Sequence, residues 1–336
     1  MPRQKLTVVA PAYNEVEGIG PFVKSLLEVL DSLPYDCTVI LVNDGATDGT
    51  GEALDRLHAA HPDRISVLHL SRNFGHQAAL TAGMDYADGD AVICMDADLQ
   101  HPPSLIPELV ERWQQGFDIV QAVRRQTADA GLMKDLTSSA FYAAINFLSK
   151  TRIEPNGCDF RLLSRPVAEV FRKELRERDR FVRGLVSWVG FRTCLVEFDA
   201  SPRFAGHTKY SFRKMLSFAR TGLVSFSKMP LKVAVFFGFS VSLLSLSYGV
   251  FAVFAYVFLS KQVIPGWAST ILVGTFLGGC QLLFLGLIGE YIATIFDEIK
   301  ARPLYIVARE QRAKTGLAQA GDGPPGPRLP GSPLHP

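Results

Sequence analysis

Cysteine is scarce in this chain of 336 residues, and its spacing excludes two common roles. The five cysteines are odd in number and include no CxxC pair. Such a pattern argues against a disulfide framework and against a zinc site. We therefore expect free thiols and a reducing, cytosolic environment. The cysteines are Cys37, Cys94, Cys158, Cys194 and Cys280.

The sequence also lacks the glycine patterns of the common nucleotide-binding folds. Its first apolar run leads into PAYNE, at residues 11–15, and not into a GxGxxG turn, and it contains no GxxxxGK[ST] segment. These absences argue against a dinucleotide-dependent dehydrogenase and against a P-loop enzyme. No signal peptide is expected, because Pro11 and Asn14 interrupt the apolar run that follows Lys5.

Acidic residues are nearly absent from one long region. Glu290 is the only acidic residue between Asp199 and Asp297. Two apolar runs lie there, at residues 231–259 and 267–296, and each is long enough to cross a hydrocarbon core of about 30 Å. We predict a transmembrane hairpin. The alternative, a hairpin buried in a soluble protein, is disfavoured by the length of the runs.

Basic residues are distributed unevenly around these two runs. They are frequent at residues 203–232 and 300–309, whereas the loop at residues 260–266 contains only Lys261. By the positive-inside rule, both termini are therefore expected in the cytoplasm.

The segments that flank the hairpin differ in composition. Basic and apolar residues alternate at residues 201–230, which predicts an amphipathic helix on the membrane surface. We expect a cytoplasmic segment at residues 297–312. Proline and glycine are abundant at residues 313–336, which predicts a disordered tail.

The first 200 residues alternate between apolar strands and helices. Strands are predicted at residues 6–10, 37–42, 65–70 and 91–95, with a fifth at residues 119–123. Short connections and regular alternation indicate an α/β domain, residues 1–200, with a doubly wound and mostly parallel sheet.

Two carboxylates follow the fourth strand. Asp96 and Asp98 are two residues apart, so in an extended chain they point the same way, toward the sheet edge where open α/β sheets bind ligands. Together with Gln100 they offer hard oxygen ligands for Mg²⁺ or Mn²⁺ shared with a diphosphate. The alternative is a solvated turn that caps the next helix.

The order of the strands decides which residues meet this pair. If the order reverses beside the first strand, the fourth strand lies next to it. The side chains of Tyr13, Glu15 and Asp44 would then surround the same cleft as the two aspartates.

A further acid lies in an apolar setting. Asp159 stands between Cys158 and Phe160, with Arg161 two residues further on. It is either a member of a polar site or half of a buried ion pair that only stabilises the fold.

Four segments together resemble family 2 glycosyltransferases with the GT-A fold. They are VVAPAYNE, VNDGATDGT, SRNFGHQAALTAG and MDADLQHPP. Between about residues 6 and 309 the chain further resembles polyprenyl-phosphate glycosyltransferases, such as bactoprenol glucosyltransferases, undecaprenyl-phosphate aminoarabinose transferases and, more distantly, dolichol-phosphate mannose synthases. The segments that indicate this narrower class are CDFRLLSR, RFAGHTKYSFRKM and GLIGEYIATIFDEIKARPLYIV.

The resemblance implies an integral membrane enzyme, most similar to those of the bacterial inner membrane. It would move a sugar from a UDP- or GDP-linked donor to undecaprenyl or dolichyl phosphate, with inversion, on the cytoplasmic face. Mg²⁺ or Mn²⁺ is the implied cofactor. The expected partners are these substrates, the membrane and further copies of the chain in a homo-oligomer, but no nucleic acid.

The resemblance also assigns roles to individual residues. It makes Asp159 the catalytic carboxylate and Asp98 with Gln100 the metal ligands. Relatives often carry an arginine where this chain has Thr127, so the acceptor site departs in part from their pattern. The implied nucleotide-sugar contacts are Pro11, Tyr13, Glu15, Asp44, Asp96, Arg203 and Lys209. The implied acceptor-phosphate contacts are Arg124, Lys134 and Ser138.

Two other functions stay open at this point. A processive polysaccharide synthase would share the GT-A motifs, but the chain has no QxxRW motif and only two predicted spans. A membrane-anchored protein that binds nucleotide sugars without catalysis would keep the fold and could dispense with Asp159.

Overall fold

The computed structural model describes residues 3–125, 157–178, 180, 182–199, 229–258 and 266–314. The chain divides into two compact units. The sheet unit comprises residues 1–146, 151–212 and 302–336, and the helical unit comprises residues 147–150 and 213–301.

The sheet unit is built on one mixed sheet. Within the described residues, eight strands are hydrogen-bonded in the order β7-β5-β6-β4-β1-β2-β3-β8. The strands are β1 Lys5–Ala12, β2 Asp36–Asn43, β3 Ile65–Leu70, β4 Ala91–Cys94, β5 Ile119–Arg124, β6 Gly157–Ser164, β7 Thr193–Phe198 and β8 Val307–Gln311.

Helices connect these strands and form the helical unit. The described helices of the sheet unit are α1 Ile19–Asp31, α2 Thr50–Ala60, α3 His76–Tyr86, a 3₁₀ turn Pro103–Leu105, α4 Ile106–Gln114, α5 Arg165–Lys173 and α6 Val182–Trp188. Those of the helical unit are α7 Met229–Phe258 and α8 Trp267–Ile299.

The strand order does reverse beside β1. Parallel pairing joins β1 to β2 on one side and to β4 on the other, and β3 extends the sheet beyond β2. Residues Leu6–Ala10 of β1 are buried because helices cover both faces of this region, which explains the uninterrupted apolar runs. The predicted α/β class and the neighbouring position of the fourth strand are confirmed.

Strand β6 was not predicted, and it is inserted antiparallel between β4 and β5. Its register pairs Ala91 with Ser164 and Cys94 with Arg161. If this register is continued past the end of β4, Asp159 lies opposite Asp96. The insertion thus brings a carboxylate that is distant in sequence to the sheet edge where β4 ends.

Strand β8 was not predicted either, and it comes from the segment after α8. It pairs antiparallel with β3, with Leu68 opposite Glu310. Just before it, the hydroxyl of Tyr305 donates a hydrogen bond to Asp85 Oδ2 at 2.8 Å. Just after it, the amides of Ala313 and Lys314 donate hydrogen bonds to Ser66 Oγ and to the Pro62 carbonyl oxygen, both at 2.9 Å.

The helical unit covers both predicted spans. α7 and α8 contact each other through the rings of Phe237 and Phe284, whose centroids are 5.9 Å apart. One stretch of the described residues, Phe276–Ile299, is long and apolar enough by composition to cross a membrane. The helices themselves are therefore confirmed, whereas the hairpin of two spans stays a prediction.

Candidate active site

Four strand ends meet at one edge of the sheet. Tyr13 follows β1, Asp44 follows β2, and Asp96 follows β4 by two residues. These strands are parallel, so their carboxyl ends lie at the same edge. β6 runs the other way and brings Asp159, near its amino end, to this edge. We call this region the cleft.

The β1 end of the cleft is shaped by backbone contacts. Pro11 is paired with Val42 in the ladder between β1 and β2. Asn14 has a φ of 55°, and its Oδ1 accepts a hydrogen bond from the Thr47 amide at 2.9 Å. The Glu15 amide donates to Thr50 Oγ1 at 2.9 Å. These contacts leave Tyr13 40% exposed at the rim of the cleft.

Asp44 connects two loops of the cleft. It is buried, and its two carboxylate oxygens accept hydrogen bonds from the amides of Phe74 at 2.7 Å and Gly75 at 3.0 Å. Burial raises the pKa of Asp44, against the effect of these two bonds, which lower it. Asp44 therefore holds residues 74 and 75, in the loop that follows β3, against the end of β2.

The loop that follows β4 is held by His101. This buried ring accepts a hydrogen bond at Nδ1 from the Asp96 amide, at 3.0 Å. It also stacks on Phe160 of β6, with 5.3 Å between ring centroids. Burial lowers the pKa of His101, so the ring is neutral near pH 7. His101 thereby fixes the backbone from which Asp96 projects.

The two proposed metal ligands lie in the same loop. Asp98 Oδ1 accepts a hydrogen bond from the Gln100 amide at 3.1 Å, across Leu99, whose φ is 60°. Gln100 Oε1 accepts one from Arg124 Nη2 at 3.1 Å. Arg124, which was predicted to bind the acceptor, therefore lies beside the loop of the two aspartates.

Asp159 receives cations from three directions. Arg161 Nη2 lies 2.6 Å from its Oδ1, Arg183 Nη2 lies 3.3 Å from its Oδ2, and His76 Nε2 lies 3.4 Å from its Oδ2. Gln77 Nε2 donates a long hydrogen bond of 3.4 Å to Oδ2. The same His76 nitrogen lies 3.3 Å from Asp96 Oδ1, so His76 bridges the two aspartates.

This arrangement determines the charges of the cluster. Burial opposes ionisation of Asp159, but the charge of Arg183 and the contacts with His76 and Arg161 outweigh it and hold its pKa well below the usual range. Burial also opposes protonation of His76, but its hydrogen bond to Asp159 and the charges of Asp96 and Asp159 raise its pKa to about 9. Near neutral pH, Asp159 is an anion and a weak base, and His76 is a cation.

A divalent cation fits the donor atoms of the cleft only if its ligand brings further oxygens. In the part of the chain that the structure describes, no three His, Cys, Asp or Glu side chains converge on a preformed cage. Asp96 Oδ1 is buried and accepts no hydrogen bond of good geometry from these residues, although His76 Nε2 lies 3.3 Å from it. One or two carboxylates with diphosphate oxygens is the usual set for Mg²⁺ at phosphate sites, and Asp98 and Asp96 suit it.

Several predicted site residues lie outside the described residues, and their roles stay predictions. They are Lys134, Ser138, Arg203 and Lys209. The structure also brings three residues to the site that the sequence did not single out. His76 follows a strand end, a position that could have identified it, and His101 lies in the quoted MDADLQHPP segment. Arg183 had no such signal.

Comparison with known proteins places this geometry in a family. The family model described as Glycosyl transferase family 2 matches residues 7–171. A Synechocystis protein described as an uncharacterized glycosyltransferase is 45% identical over 304 residues, which cover 90% of this chain and 95% of that protein. The SfII prophage-derived bactoprenol glucosyl transferase of Shigella flexneri is 40% identical over 308 residues, which cover 92% of this chain and 99% of that protein.

Solved structures resemble the chain more distantly. Mannosyl-3-phosphoglycerate synthase of Rubrobacter xylanophilus is 16% identical, with a TM-score of 0.45 over 65% of this chain and 71% of that one. Glucosyl-3-phosphoglycerate synthase of Mycobacterium tuberculosis, solved with Mn²⁺, UDP and glucosyl-3-phosphoglycerate, is 20% identical, with a TM-score of 0.42 over 66% and 78%. Because relatives of 40–45% identity align along nine-tenths of its length, the chain belongs to glycosyl transferase family 2 and is a glycosyltransferase.

Proposed function

We propose that the protein transfers a sugar from a nucleotide sugar to a polyprenyl phosphate. The observation that carries the proposal is the pairing of β6 with β4. When the register of this pair is continued past Cys94, Asp159 lies opposite Asp96. A carboxylate for the reaction centre thus lies beside the carboxylates proposed for the donor. The relatives named bactoprenol glucosyl transferases support a lipid phosphate as acceptor.

The reaction is a single displacement with inversion. An oxygen of the lipid phosphate attacks the anomeric carbon, the bond from that carbon to the diphosphate oxygen breaks, and the nucleoside diphosphate leaves with the electron pair. The phosphate is already ionised at neutral pH, since its second pKa is near 6. No strong base is needed, which agrees with the low pKa of Asp159.

On this reading, Asp159 acts through its charge. It can support the positive charge that develops at the anomeric carbon, and it holds the surrounding cations in place. Asp98 and Gln100 are the proposed ligands of Mg²⁺ or Mn²⁺. When bound, the cation would stabilise the negative charge on the leaving diphosphate.

The remaining substrate contacts are proposed from the family pattern. The cleft position of Tyr13, Asp44 and Asp96 supports a donor site there, to which Pro11, Glu15, Arg203 and Lys209 are assigned. The contact between Arg124 and Gln100 supports an acceptor phosphate near the same loop. Lys134 and Ser138 complete the proposed acceptor site.

The helical unit is proposed as a membrane hairpin with spans at residues 231–259 and 267–296. Large apolar side chains are highly exposed on both helices, among them Phe236 at 73%, Leu244 at 70% and Leu282 at 73%. Soluble proteins rarely leave continuous apolar surface exposed, whereas acyl chains would cover it.

A cytoplasmic location is proposed for both termini and for the catalytic domain. The distribution of charge supports it: basic residues are frequent at residues 203–232 and 300–309, whereas the loop at residues 260–266 contains only Lys261.

The test is transfer by the purified full-length protein in detergent. It is incubated with Mg²⁺ or Mn²⁺, undecaprenyl phosphate and a panel of radiolabelled UDP- and GDP-sugars. We expect one sugar per lipid in the organic phase from at least one donor. A growing polymer would instead indicate a processive synthase. Nucleotide binding without any product would indicate a non-catalytic protein.

A further inference from the structure

Strand β6 contains a β-bulge at the residue proposed for the reaction centre. Gln121 of β5 pairs with Arg161 of β6. Two residues further along β5, Val123 pairs with Gly157, so the register shifts between the two pairs. One residue of β5 therefore faces three residues of β6, and the middle one of the three is Asp159. Bulges redirect side chains and are frequent next to active sites.

The side chain of Gln121 supplies the hydrogen bonds that the ladder lacks here. A bulge leaves backbone carbonyls without their usual amide partners. Gln121 is buried, and its Nε2 donates to the carbonyl oxygens of Cys158 at 2.6 Å and Phe160 at 3.2 Å. It also donates to the Ala122 carbonyl oxygen at 3.0 Å. Because all three partners are carbonyl oxygens, only the amino end of the amide can face them.

These contacts hold the backbone on both sides of Asp159. The side chains of Cys158 and Phe160 belong to the hydrophobic core, so alternation along the strand directs Asp159 to the opposite face. On that face, Arg161 Nη2 lies 2.6 Å from Asp159 Oδ1 and donates to the Cys158 carbonyl oxygen at 3.0 Å. Gln121 thus fixes the backbone of the bulge, and Arg161 joins this backbone to the carboxylate.

The position of Asp159 relative to the proposed donor site depends on this backbone. Asp159 Oδ2 lies 3.4 Å from His76 Nε2, which in turn lies 3.3 Å from Asp96 Oδ1. A different shape of the bulge would change these distances. Misplacement of a reacting group by about 1 Å can lower a rate by about 10²-fold.

We propose that Gln121 is a positioning residue for Asp159: its amide holds the bulge of β6 in the shape that places the carboxylate at the reaction centre. The inference rests on the proposed function, because it needs Asp159 to act in the reaction. Gln121 acts through the backbone, so its loss should slow the chemical step and leave the binding of the nucleotide sugar unchanged.

The test compares turnover in two backgrounds of the full-length protein. Gln121→Met keeps the length of the side chain but cannot donate, so kcat with undecaprenyl phosphate should fall by about 10-fold or more. KM for the nucleotide sugar should stay within about twofold. In the Asp159→Asn background, the same change should alter kcat by less than about twofold, because the group that Gln121 positions is already lost.

Thr7→Val is the matched control. Thr7 is buried in the same sheet, and its Oγ1 shares a hydrogen bond of 3.2 Å with Thr38 Oγ1. It lies near the amino end of β1, whereas the cleft is at the carboxyl end. The variant should lower the melting temperature and change kcat by less than about twofold. A general weakening of the sheet is thereby separated from a displacement of Asp159.

The outcomes separate this inference from the proposed function. A wild-type protein that forms no lipid-linked product contradicts both. If the wild type is active, an unchanged kcat in Gln121→Met overturns the inference alone. An equal loss of kcat in both backgrounds also overturns it, because Gln121 would then act independently of Asp159.

Two further results complete the comparison. Full activity of Asp159→Asn would remove this carboxylate from the reaction and overturn the inference, while sugar transfer itself would stand. If Gln121→Met does not fold, Gln121→Asn decides by the same comparison of kcat in the two backgrounds. Its amide is shorter by one methylene and cannot reach both carbonyls of the bulge.

Discussion

At Asp159, a stabilising ion pair and the proposed reaction-centre carboxylate coincide in one side chain. The contact of 2.6 Å with the fully buried Arg161 is what a structural pair requires. The contacts with Arg183 and His76 lie on the open side and exceed what that pair requires. Substitution at this residue is therefore expected to affect both stability and turnover, and the two effects need separate readouts.

For Asp159→Asn, we expect turnover to fall by about 10²-fold, because a charge near the transition state is lost. Stability should fall by about 3–5 kcal/mol, because buried Arg161 loses its counterion. Nucleotide affinity, measured by calorimetry, should stay near that of the wild type.

A double variant separates the two effects. Replacing Arg161 with Met in the Asp159→Asn background removes the uncompensated charge, so the melting temperature should recover while turnover stays low. Recovery of turnover as well would show that Asp159 has only a structural role.

Asp98 is the residue that tests the cation. Asp98→Asn removes a charged ligand at little cost in volume, so transfer should fall strongly, and EDTA should have the same effect on the wild type. Asp88→Asn, at a side chain that is 63% exposed, serves as control. Full transfer in EDTA would show that the reaction does not require a divalent cation.

The loop that follows β2 and the loop that follows β3 approach each other closely. The space between them leaves no room for a side chain at residue 45. Gly45 has a φ of +66°, and a Cβ there would lie 2.4 Å from the Arg72 carbonyl carbon and 2.5 Å from the Asn73 amide nitrogen. Because these are backbone atoms, neither loop can adapt by a change of rotamer. The same loops contain Asp44 and its hydrogen bonds to Phe74 and Gly75.

Gly45→Ala is therefore expected to weaken nucleotide binding by at least about 10-fold and to lower the melting temperature, since the strained φ alone costs about 1–2 kcal/mol. Gly20→Ala is the matched control. It lies in α1, where an added Cβ meets nothing within 4 Å, so it should be neutral or stabilise by about 0.5–1 kcal/mol. Equal affinities in the two variants would contradict the account.

Sequence patterns predicted some elements well and others not at all. Strands β1 to β4 are continuous apolar runs because they are buried on both faces, and their predicted bounds agree with the structure to within two residues. β6 contains the charged pair Asp159 and Arg161, which obscured its strand character. β8 reads VAREQ and is largely exposed at a sheet edge, so no apolar run marks it.

The residues of the site could likewise be predicted only in part. Residues that follow predicted strands, such as Asp44 and Asp96, could be placed in the cleft from topology. His76 lies in the quoted SRNFGHQAALTAG segment and could have been identified from its position, whereas Arg183 could not, because its contacts with Asp159 depend on how helices pack. The free state of all five cysteines agrees with their spacing.

In the whole molecule, the chain leaves the sheet unit for the helical unit and then returns. Tyr305 and β8 connect the C-terminal residues to α3 and β3. A chain ended near Arg203 would lose this connection together with both helices. In such a chain, the loss of the helical unit could not be separated from the damage to the sheet.

We therefore expect different results from two shortened proteins. In the first, a flexible linker replaces residues 213–301 and β8 is kept; it should bind UDP or GDP with Mg²⁺ by calorimetry but fail to glycosylate undecaprenyl phosphate. The second, ended at Arg203, should melt at a lower temperature. Efficient transfer to the long-chain lipid by the first protein would show that the hairpin does not guide the acceptor.

The position of β8 at the end of the chain also determines when the sheet can be completed during synthesis. About 240 residues separate β3 from β8, and at 5–20 residues per second a ribosome needs roughly 12–50 s to make them. Throughout this time the outer edge of β3 presents unpaired amides and carbonyls, the kind of edge that templates pairing between nascent chains. Both α7 and α8 are made within that interval, so β8 can cover this edge only after the whole helical unit has been synthesised.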